Sequence, residues 1–316
     1  MARRRKGRPV SGWLVVDKPL EVGSTNVVSK TRWAFRAQKA GHAGTLDPLA
    51  TGVLAVALGE ATKTVPYAMD ALKTYVFTVT WGEARTTDDL EGSVSARSNA
   101  RPSRDAIEAA LPEFEGEILQ RPPAFSAIKV DGERAYDLAR DGETVALEAR
   151  PIWVEALRLL EIPDPDRAVF ELTCGKGGYV RSIARDLGEK LGCFGHVSAL
   201  RRTAAGPFSI EDAIPFEKLD ELRDMDAPEE HLLSVSTALD DIPAQAVTEG
   251  QAAQLRQGRA IPVTGALAGG DLSYGDTVWA SLDGEAVAIG VVKGGHFHPA
   301  RVLNLSPPET SGAGDD

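Results

Sequence analysis

Short apolar runs separated by glycine and proline dominate the hydrophobic pattern of this chain, which predicts more strands than helices. Residues 13–16, 53–58 and 75–81 are typical of buried strands, because β-branched and aromatic side chains favour extended backbone. Two further runs, residues 153–160 and 168–173, are predicted to pair with each other. The pattern therefore favours a sheet built from segments that lie far apart in the chain.

Helical spacing of apolar residues is confined to a few segments. Residues 179–191 carry one apolar stripe and follow a glycine-rich stretch, so a helix is predicted there. A helix rich in basic residues is predicted over 27–36, and Ser103 is predicted to cap another helix. The acidic stretch 211–241 has a mostly helical pattern, and a short helix is expected over 249–257.

Glycine and proline also mark where regular structure is not expected. Three glycines and a proline within residues 41–52 exclude a regular element there. Near the end of the chain, glycine-separated strands over residues 276–282, 286–293 and 301–305 predict a small β-rich domain. The expected organisation is a disordered basic N-terminus over residues 1–9, a main α+β domain over 10–240 with a mobile insertion at about 124–151, the β-rich domain over 245–305 and a disordered tail over 306–316.

Composition limits the class of protein. With 316 residues, 43% hydrophobic and 26% charged, the chain is neither collagen-like nor disordered throughout, and two cysteines cannot form a disulfide framework. No apolar run reaches the length of a membrane-spanning helix. Residues 3–6 resemble the basic start of a signal peptide, but the apolar stretch that follows ends at Asp17, so we expect a cytoplasmic protein.

Charge is distributed unevenly along the chain. The net charge is −11, yet residues 1–40 hold ten Lys and Arg against two acids, whereas residues 211–241 hold eleven acids against two bases. Such asymmetry is typical of a protein with one surface that faces a polyanion. A solvated basic tail and a solvated acidic linker would give the same pattern, so charge alone leaves both interpretations open.

Asp47 is the first candidate for chemistry. It lies in a loop fixed by glycine and proline, and a carboxylate can act as a nucleophile at a sugar carbon. A lone aspartate before proline more often hydrogen-bonds its own turn, so this interpretation depends on a partner. Arg181, one turn into its predicted helix, could hold that carboxylate, or it could be a surface arginine that binds phosphate.

Other candidate side chains are individually ambiguous. Tyr75 and Tyr179 could stack on a base or carry a proton, or they could be ordinary core tyrosines. The sequence lacks the motifs of nucleotide-binding loops, zinc proteases and serine hydrolases. His296 and His298 give only a weak metal signal, and we favour a solvated strand end there. We therefore expect no metal, no nucleotide cofactor and no serine nucleophile.

One sequence resemblance covers nearly the whole chain from about residue 10. The segment GHAGTLDPLATGVL at residues 41–54, followed by GEATK at 59–63, resembles the catalytic loop of the bacterial TruB family of pseudouridine synthases. Further family-like segments follow the family order: VDKP at 16–19, TTDDLEG at 86–92, PPAFSAIKVDG at 122–132, CGKGGYVRSIARDLG at 174–188 and LRRT at 200–203.

The resemblance implies a fold and an activity. The expected fold is α+β, with the mixed and mainly antiparallel sheet of pseudouridine synthases, flanking helices and a small C-terminal domain of the PUA type that binds RNA. The expected reaction converts the uridine at position 55, in the T loop of tRNA, to pseudouridine after base flipping. The resemblance implies no cofactor, the T arm of tRNA as partner, an RNA-binding role for the insertion and a monomeric enzyme.

The resemblance also assigns roles to residues. Asp47 would be the nucleophile, Arg181 would pair with it, and Tyr75 would stack on the target base and take part in proton transfer. The expected substrate-binding residues are His42, Tyr179, Leu200, Lys18 and Lys129. The expected phosphate contacts are the basic N-terminus, the helix over 27–36, Lys176, Arg201 and Arg202.

Three positions depart from the family pattern, and two other functions compete with the first. Ala43, Glu21 and Gly178 stand where the family usually has threonine, glycine and threonine. A noncatalytic protein that binds or folds tRNA could keep the same fold. A glycoside hydrolase would need a second acid, for which Asp88 or Asp89 could be proposed.

Overall fold

The computed structural model describes residues 7–125, 129–130, 133–134, 147–263 and 274–305. The helices are α1 (Ser24–Ala34), α2 (Val65–Asp70), α3 (Arg104–Ala110), α4 (Val180–Lys190), α5 (Lys218–Asp224) and α6 (Glu249–Arg256). The strands are β1 (Gly12–Lys18), β2 (Ala40–His42), β3 (Ala50–Leu58), β4 (Lys73–Trp81), β5 (Glu83–Arg85), β6 (Val94–Arg97), β7 (Gly116–Gln120), β8 (Lys129–Val130), β9 (Glu133–Arg134), β10 (Arg150–Asp164), β11 (Arg167–Cys174), β12 (Gly195–Ala205), β13 (Phe208–Ser209), β14 (Ile214–Pro215), β15 (Ala244–Ala246), β16 (Ile261–Pro262), β17 (Thr277–Leu282), β18 (Glu285–Lys293) and β19 (His296–Val302).

A mixed sheet, with ten strands among the described residues, forms the body of the molecule. Its main path runs β14-β1-β3-β12-β4-β11-β10-β7, while β2 pairs with β3 and β13 pairs with β12. The β1–β14 and β3–β12 pairs are parallel, and the remaining pairs are antiparallel. The α+β class and the mainly antiparallel sheet are therefore confirmed.

Strand β12 brings the functional segments together at the centre of this sheet. It lies between β3 and β4, with Leu200 opposite Ala50 on one side and Arg202 opposite Tyr75 on the other. Because β3 begins directly after the Asp47 loop, this register places that loop beside Tyr75.

Both faces of the large sheet are covered, which explains the continuous apolar runs in its strands. On β1, Trp13 and Val15 belong to one buried cluster, while Leu14 and Val16 belong to another on the opposite side. Helices α1 and α5 cover the second cluster, since Val27, Phe35, Leu219 and Leu222 pack within it. Helix α4 packs with β4, β11 and β12 through its buried apolar stripe of Val180, Ile183, Ala184 and Leu187, as its sequence spacing predicts.

A second sheet follows in the C-terminal region. Its strands run in the order β15-β17-β18-β19-β16, and Trp279 and Ile289 join Trp13 in one buried cluster. The 3₁₀ turn Gly59–Lys63 adds polar contacts, because Lys63 Nζ donates to the Val302 carbonyl at 2.7 Å and the Asn304 N–H donates to Glu60 Oε2 at 2.7 Å. The small β-rich unit is thus fastened to the large sheet.

Several expectations about elements were wrong. Residues 40–42 pair with β3, and β3 begins at Ala50, so the region 41–52 is irregular only in its middle. The acidic stretch 211–241 contains one short α-helix and two 3₁₀ turns, because Pro215 and Pro228 interrupt it. The last predicted strand lies at His296–Val302 instead of 301–305.

The expected segment boundaries also change. Arg8 is ordered, since its N–H donates to the Arg36 carbonyl at 2.7 Å, so the expectation of disorder over residues 1–9 fails for this part. Arg150 and Pro151, placed in the insertion, pair with β7 as the start of β10. Most of the expected insertion and the expected C-terminal tail lie outside the described residues. Within the described part of the chain, no helix is long and apolar enough to cross a membrane.

Candidate active site

A cavity lies where the Asp47 loop, β3, β4, β12 and the start of α4 meet. Its lining includes five residues singled out from sequence or resemblance: Asp47, Tyr75, Tyr179, Arg181 and Leu200. These residues come from four separate stretches of the chain. The fold therefore gathers most of the expected site residues around one opening.

The loop that carries Asp47 is held by its neighbours. Ser24 Oγ donates to the Leu46 carbonyl at 2.9 Å and accepts from the Leu46 N–H at 2.9 Å. The Ala50 N–H donates to the Asp47 carbonyl at 3.0 Å, which closes a turn before β3. With the backbone fixed in this way, the Asp47 side chain remains 42% exposed towards the cavity.

Arg181 forms the partner that Asp47 requires. Its Nη2 lies 2.9 Å from Asp47 Oδ2, and its side chain is only 7% exposed. Nη2 also donates to the Phe125 carbonyl at 3.0 Å, and Nη1 donates to the Thr87 carbonyl at 3.2 Å. Bonds to several elements leave this guanidinium little freedom, so it orients the carboxylate.

Sequence reasoning missed the role of Asp89 at this site. Asp89 Oδ2 lies 3.3 Å from Arg181 Nη1, and the Asp89 side chain is 2% exposed. Asp89 Oδ1 accepts from the Thr87 hydroxyl and from the Glu91 N–H. Arg181 therefore bridges a buried carboxylate and an exposed one. The only sequence signal was the acidic motif at 86–92, which gave no partner for this aspartate.

The adjacent aspartate forms a second ion pair on the same helix. Asp88 Oδ2 accepts from Arg185 Nη1 at 2.9 Å, one helical turn beyond Arg181. Burial raises the pKa of Asp88 to about 6, although the Arg185 charge opposes this shift. Asp89 is buried, Asp88 is only 13% exposed, and each is paired with an arginine, so neither is available as the second acid of a glycoside hydrolase.

Tyr75 forms one wall of the cavity from strand β4. Arg202 lies opposite it on β12. Burial raises the pKa of Tyr75, while the positive charge of Arg202 acts in the opposite direction.

Tyr179 and Leu200 form other parts of the wall. Tyr179 precedes α4, where its N–H donates to Gln120 Oε1 at 2.8 Å and its carbonyl accepts from Gln120 Nε2 at 3.1 Å. This double contact fixes the start of the helix that carries Arg181. Leu200 lies on β12 opposite Ala50 and is buried beside the Asp47 loop.

The other expected substrate-binding residues are not part of this lining. Lys18 is fully buried and donates to the carbonyls of Pro19, Val22 and Pro48. Because Pro48 directly follows Asp47, Lys18 stabilises the backbone of the Asp47 loop. Burial lowers the pKa of Lys18 to about 8. His42 is half-buried on β2, and burial together with the Arg202 charge lowers its pKa. The side chain of Lys129 lies outside the described part of the structure.

Comparison with known proteins agrees with this arrangement. Residues 32–180 match the TruB family pseudouridylate synthase N-terminal domain, and residues 181–242 match the tRNA pseudouridylate synthase B C-terminal domain. A protein of Dinoroseobacter shibae named tRNA pseudouridine synthase B is 57% identical over 96% of this chain and 98% of its own length. The chain belongs to the TruB family of pseudouridylate synthases.

Two further relatives extend the TruB-family assignment. A tRNA pseudouridine synthase B from a Ruegeria species is 58% identical over 96% of this chain and 99% of its own length. A solved structure of a Cbf5-Nop10-Gar1 complex contains a chain with a TM-score of 0.73 and 28% identity, over 93% of this chain and 85% of that one. The fold of this TruB-family chain is therefore that of pseudouridine synthases.

The three departures from the TruB-family pattern lie in different local settings. Glu21 has φ of 64°, a left-handed conformation that glycine adopts more readily, and its N–H donates to the Pro48 carbonyl at 2.9 Å. A Cβ at Gly178 would lie 2.7 Å from Cys174 Sγ, so glycine suits this close approach. Ala43 is buried and its N–H donates to the Ala55 carbonyl on β3.

The structure corrects one expected TruB-family phosphate contact. Arg202 is 1% exposed and cannot reach a phosphate on the surface. Its neighbour Arg201 is held by Asp17 through two hydrogen bonds of 3.0 and 2.8 Å, and Lys176 is exposed beside Asp70 at 2.8 Å. Within the described residues, His, Cys, Asp and Glu do not cluster in a way that could hold a metal ion.

Proposed function

We propose that this TruB-family chain converts a uridine in tRNA to pseudouridine, and that the target is position 55 in the T loop. Membership of a family of pseudouridylate synthases and relatives named tRNA pseudouridine synthase B support the reaction and the class of RNA. The observation that carries the proposal is the 2.9 Å ion pair between Asp47 and Arg181, on the wall of a cavity shared with Tyr75.

The proposed reaction is an isomerisation. The bond between ribose C1′ and uracil N1 breaks, and a bond between C1′ and C5 forms. The hydrogen on C5 leaves as a proton and N1 gains one, so no electrons enter or leave. Asp47 acts as the nucleophile, because its carboxylate is fixed by the loop and oriented by Arg181. Tyr75 lies in the same cavity and takes part in the proton transfer.

The target base must leave its stack to enter this cavity. Tyr75 offers an aromatic face, and stacking of a base on an aromatic side chain contributes about 1–3 kcal/mol, which offsets part of the cost of flipping. Tyr179 and Leu200 would enclose the base from other sides. In this proposal His42 contacts displaced nucleotides at the rim, Lys18 supports the loop, and Lys129 binds phosphate.

The proposal also covers the surroundings of the reaction. The T arm of tRNA is the contacted part, with the insertion at about 124–151 and the β-rich domain at 245–305 as RNA-binding regions. The enzyme acts as a monomer in the cytoplasm and without a cofactor. Sedimentation of the protein alone and with one equivalent of tRNA tests the monomeric state.

The proposed role of Asp47 is tested by Asp47→Asn, which keeps the size of the side chain and removes its charge. We expect turnover of an unmodified tRNA transcript to be abolished while tRNA affinity stays within about threefold, since a nucleophile contributes to chemistry far more than to binding. Asp166→Asn, at an exposed aspartate paired with Arg101, is the matched control and should keep full activity.

Nucleoside analysis of the treated transcript distinguishes the competing functions. Pseudouridine at position 55 supports the proposal, and unchanged uridine with tight binding would indicate a noncatalytic RNA-binding protein. Release of free uracil would indicate a glycoside hydrolase. Substantial residual pseudouridine formation by Asp47→Asn would remove Asp47 from its assigned role.

A further inference from the structure

Arg202 is a buried cation that has no role in the reaction proposed above. Its side chain is among the largest fully buried ones, and among the described residues no carboxylate forms a salt bridge with it. Removing an arginine from water is costly unless its donors find partners, and apolar side chains of similar volume usually fill such positions at lower cost. The partners of this guanidinium therefore indicate what it does.

Two of these partners flank the Asp47 loop. Arg202 Nη2 donates to the Gly44 carbonyl at 3.1 Å, and Nε donates to the Val53 carbonyl at 2.8 Å. Gly44 precedes Asp47 and Val53 follows it, at the start of β3. One rigid guanidinium thus ties the two ends of the loop to β12.

Tyr75 lies across the strand pair from Arg202. A guanidinium is a permanent cation at physiological pH. The positive charge of Arg202 therefore favours the deprotonated Tyr75 oxygen over the neutral phenol.

Close packing of the backbone fixes the position from which Arg202 reaches these partners. Arg202 pairs with Gly52 on β3, where a Cβ would lie 2.1 Å from the Arg202 carbonyl oxygen. Glycine at position 52 therefore allows β12 to approach β3 closely. A side chain that starts from this position spans both the loop and Tyr75.

We propose that Arg202 is a positioning residue of the uridine reaction, which holds the Asp47 loop in a fixed geometry beside Tyr75. This inference rests on the proposed function and adds a residue to it. The alternative is a structural arginine that satisfies buried carbonyls without any effect on Tyr75.

Other charged or titratable groups also face this pair. Asp47 from the loop and Cys174 from β11 act on Tyr75, and both favour its neutral form. Lys18 on β1, His42 on β2 and Lys73 on β4 feel the Arg202 charge, and it lowers the pKa of each. Among the groups acting on Tyr75, Arg202 favours the phenolate.

The first test compares Arg202→Met with Arg202→Lys in single-turnover reactions, with excess enzyme and a tRNA transcript that carries tritium at uridine C5. Arg202→Met should lower the rate by about 100-fold, the cost expected of a displaced catalytic group, and should leave tRNA affinity nearly unchanged. Arg202→Lys keeps a positive charge and should recover part of the rate.

The dependence of this rate on pH separates positioning from a purely structural role. Loss of the guanidinium raises the pKa of Tyr75 further. The pH at which the rate increases should therefore be higher for Arg202→Met than for the wild type. A structural defect would lower the rate by the same factor at every pH. Val79→Ala, a buried β4 residue paired with Val197 and Ala168, is the control for weakening the same sheet.

Each outcome decides the matter. The proposal holds if Arg202→Met shifts the pH profile while Arg202→Lys and Val79→Ala do not. It is overturned if Arg202→Met keeps the wild-type rate, or if its loss is equal at all pH values. If the wild-type protein releases no tritium at all, the proposed function is wrong. The proposed role of Arg202 is then wrong as well, because it rests on that function.

Discussion

At the scale of single residues, the site depends on buried charge. The loop at 86–92 presents Asp88 and Asp89 to two arginines that lie four positions apart on α4, and Arg181 continues to Asp47. Because burial strengthens interactions between charges, the geometry of this network is sensitive to the loss of any one member. The acidic motif at 86–92 could be recognised in the sequence, but its ion pairs with Arg181 and Arg185 depend on how this loop approaches α4.

The Asp88 pair leads to a prediction about stability and pH. Burial raises the pKa of Asp88 from 3.8 to about 6, so the folded protein binds this proton more tightly than the unfolded chain does. The contribution of Asp88 to stability should therefore fall as pH rises from about 4 to about 6 and stay constant above, by about 3 kcal/mol in all.

Urea unfolding of the wild type and Asp88→Asn at several pH values measures this contribution. The free energy of unfolding of the wild type minus that of the variant should decrease across this interval. A difference that is flat, or that grows with pH, would contradict the raised pKa. Asp166→Asn at an exposed aspartate corrects for general effects of the substitution.

At the scale of elements, the strands recognisable from sequence were those with β-branched and aromatic runs. Strands β1 and β4 have such runs, and the pairing of β10 with β11 was also predicted correctly. The central strand β12 was missed, because GHVSALRRTAA mixes small, charged and apolar residues without a clear period. Its extended form comes from pairing with β3 and β4 on its two sides.

The close approach of β12 to β3 predicts a large effect of Gly52→Ala. Gly52 has φ of 98°, and an added Cβ would overlap the Arg202 backbone. Gly192→Ala is the matched control, because Gly192 has φ of 68° and open space around its Cβ. We expect a loss of about 1–2 kcal/mol for the control and at least about 3 kcal/mol for Gly52→Ala, measured by urea unfolding. Equal losses of unfolding free energy in the two variants would show that β12 can move away from β3 without a cost in stability.

At the scale of the whole molecule, the basic N-terminal segment contacts the acidic stretch 211–241. Arg8 forms a 2.6 Å ion pair with Glu229, and Lys30 forms a 2.8 Å pair with Asp220. Part of the basic N-terminal segment is therefore neutralised by the acidic stretch, which sequence counts alone did not indicate. Among the described basic residues of this segment, Arg32, Arg36 and Lys39 are exposed.

This charge arrangement predicts salt-dependent binding of tRNA. Each neutralised phosphate releases counterions, so two or more contacts should weaken affinity by at least about 10-fold between roughly 0.05 and 0.2 M salt. Equilibrium binding of Asp47→Asn to an unmodified transcript measures this without turnover. A flat response would mean that the basic segments do not face the RNA.

The sequence by itself determined the apolar runs that become buried strands, the irregular loop around Asp47 and the family motifs that single out Asp47, Tyr75 and Arg181. The tertiary structure alone decided that Arg181 is shared between Asp47 and a buried Asp89. It also decided that Arg202 ties the Asp47 loop to β12 opposite Tyr75, and that Lys18 donates to the Pro48 carbonyl of that loop. The spacing of apolar residues along a chain indicates which face of a helix or strand is buried, because buried positions recur with the period of that element. The pairing of buried charges depends on how distant strands and helices approach one another, and no local pattern carries that information.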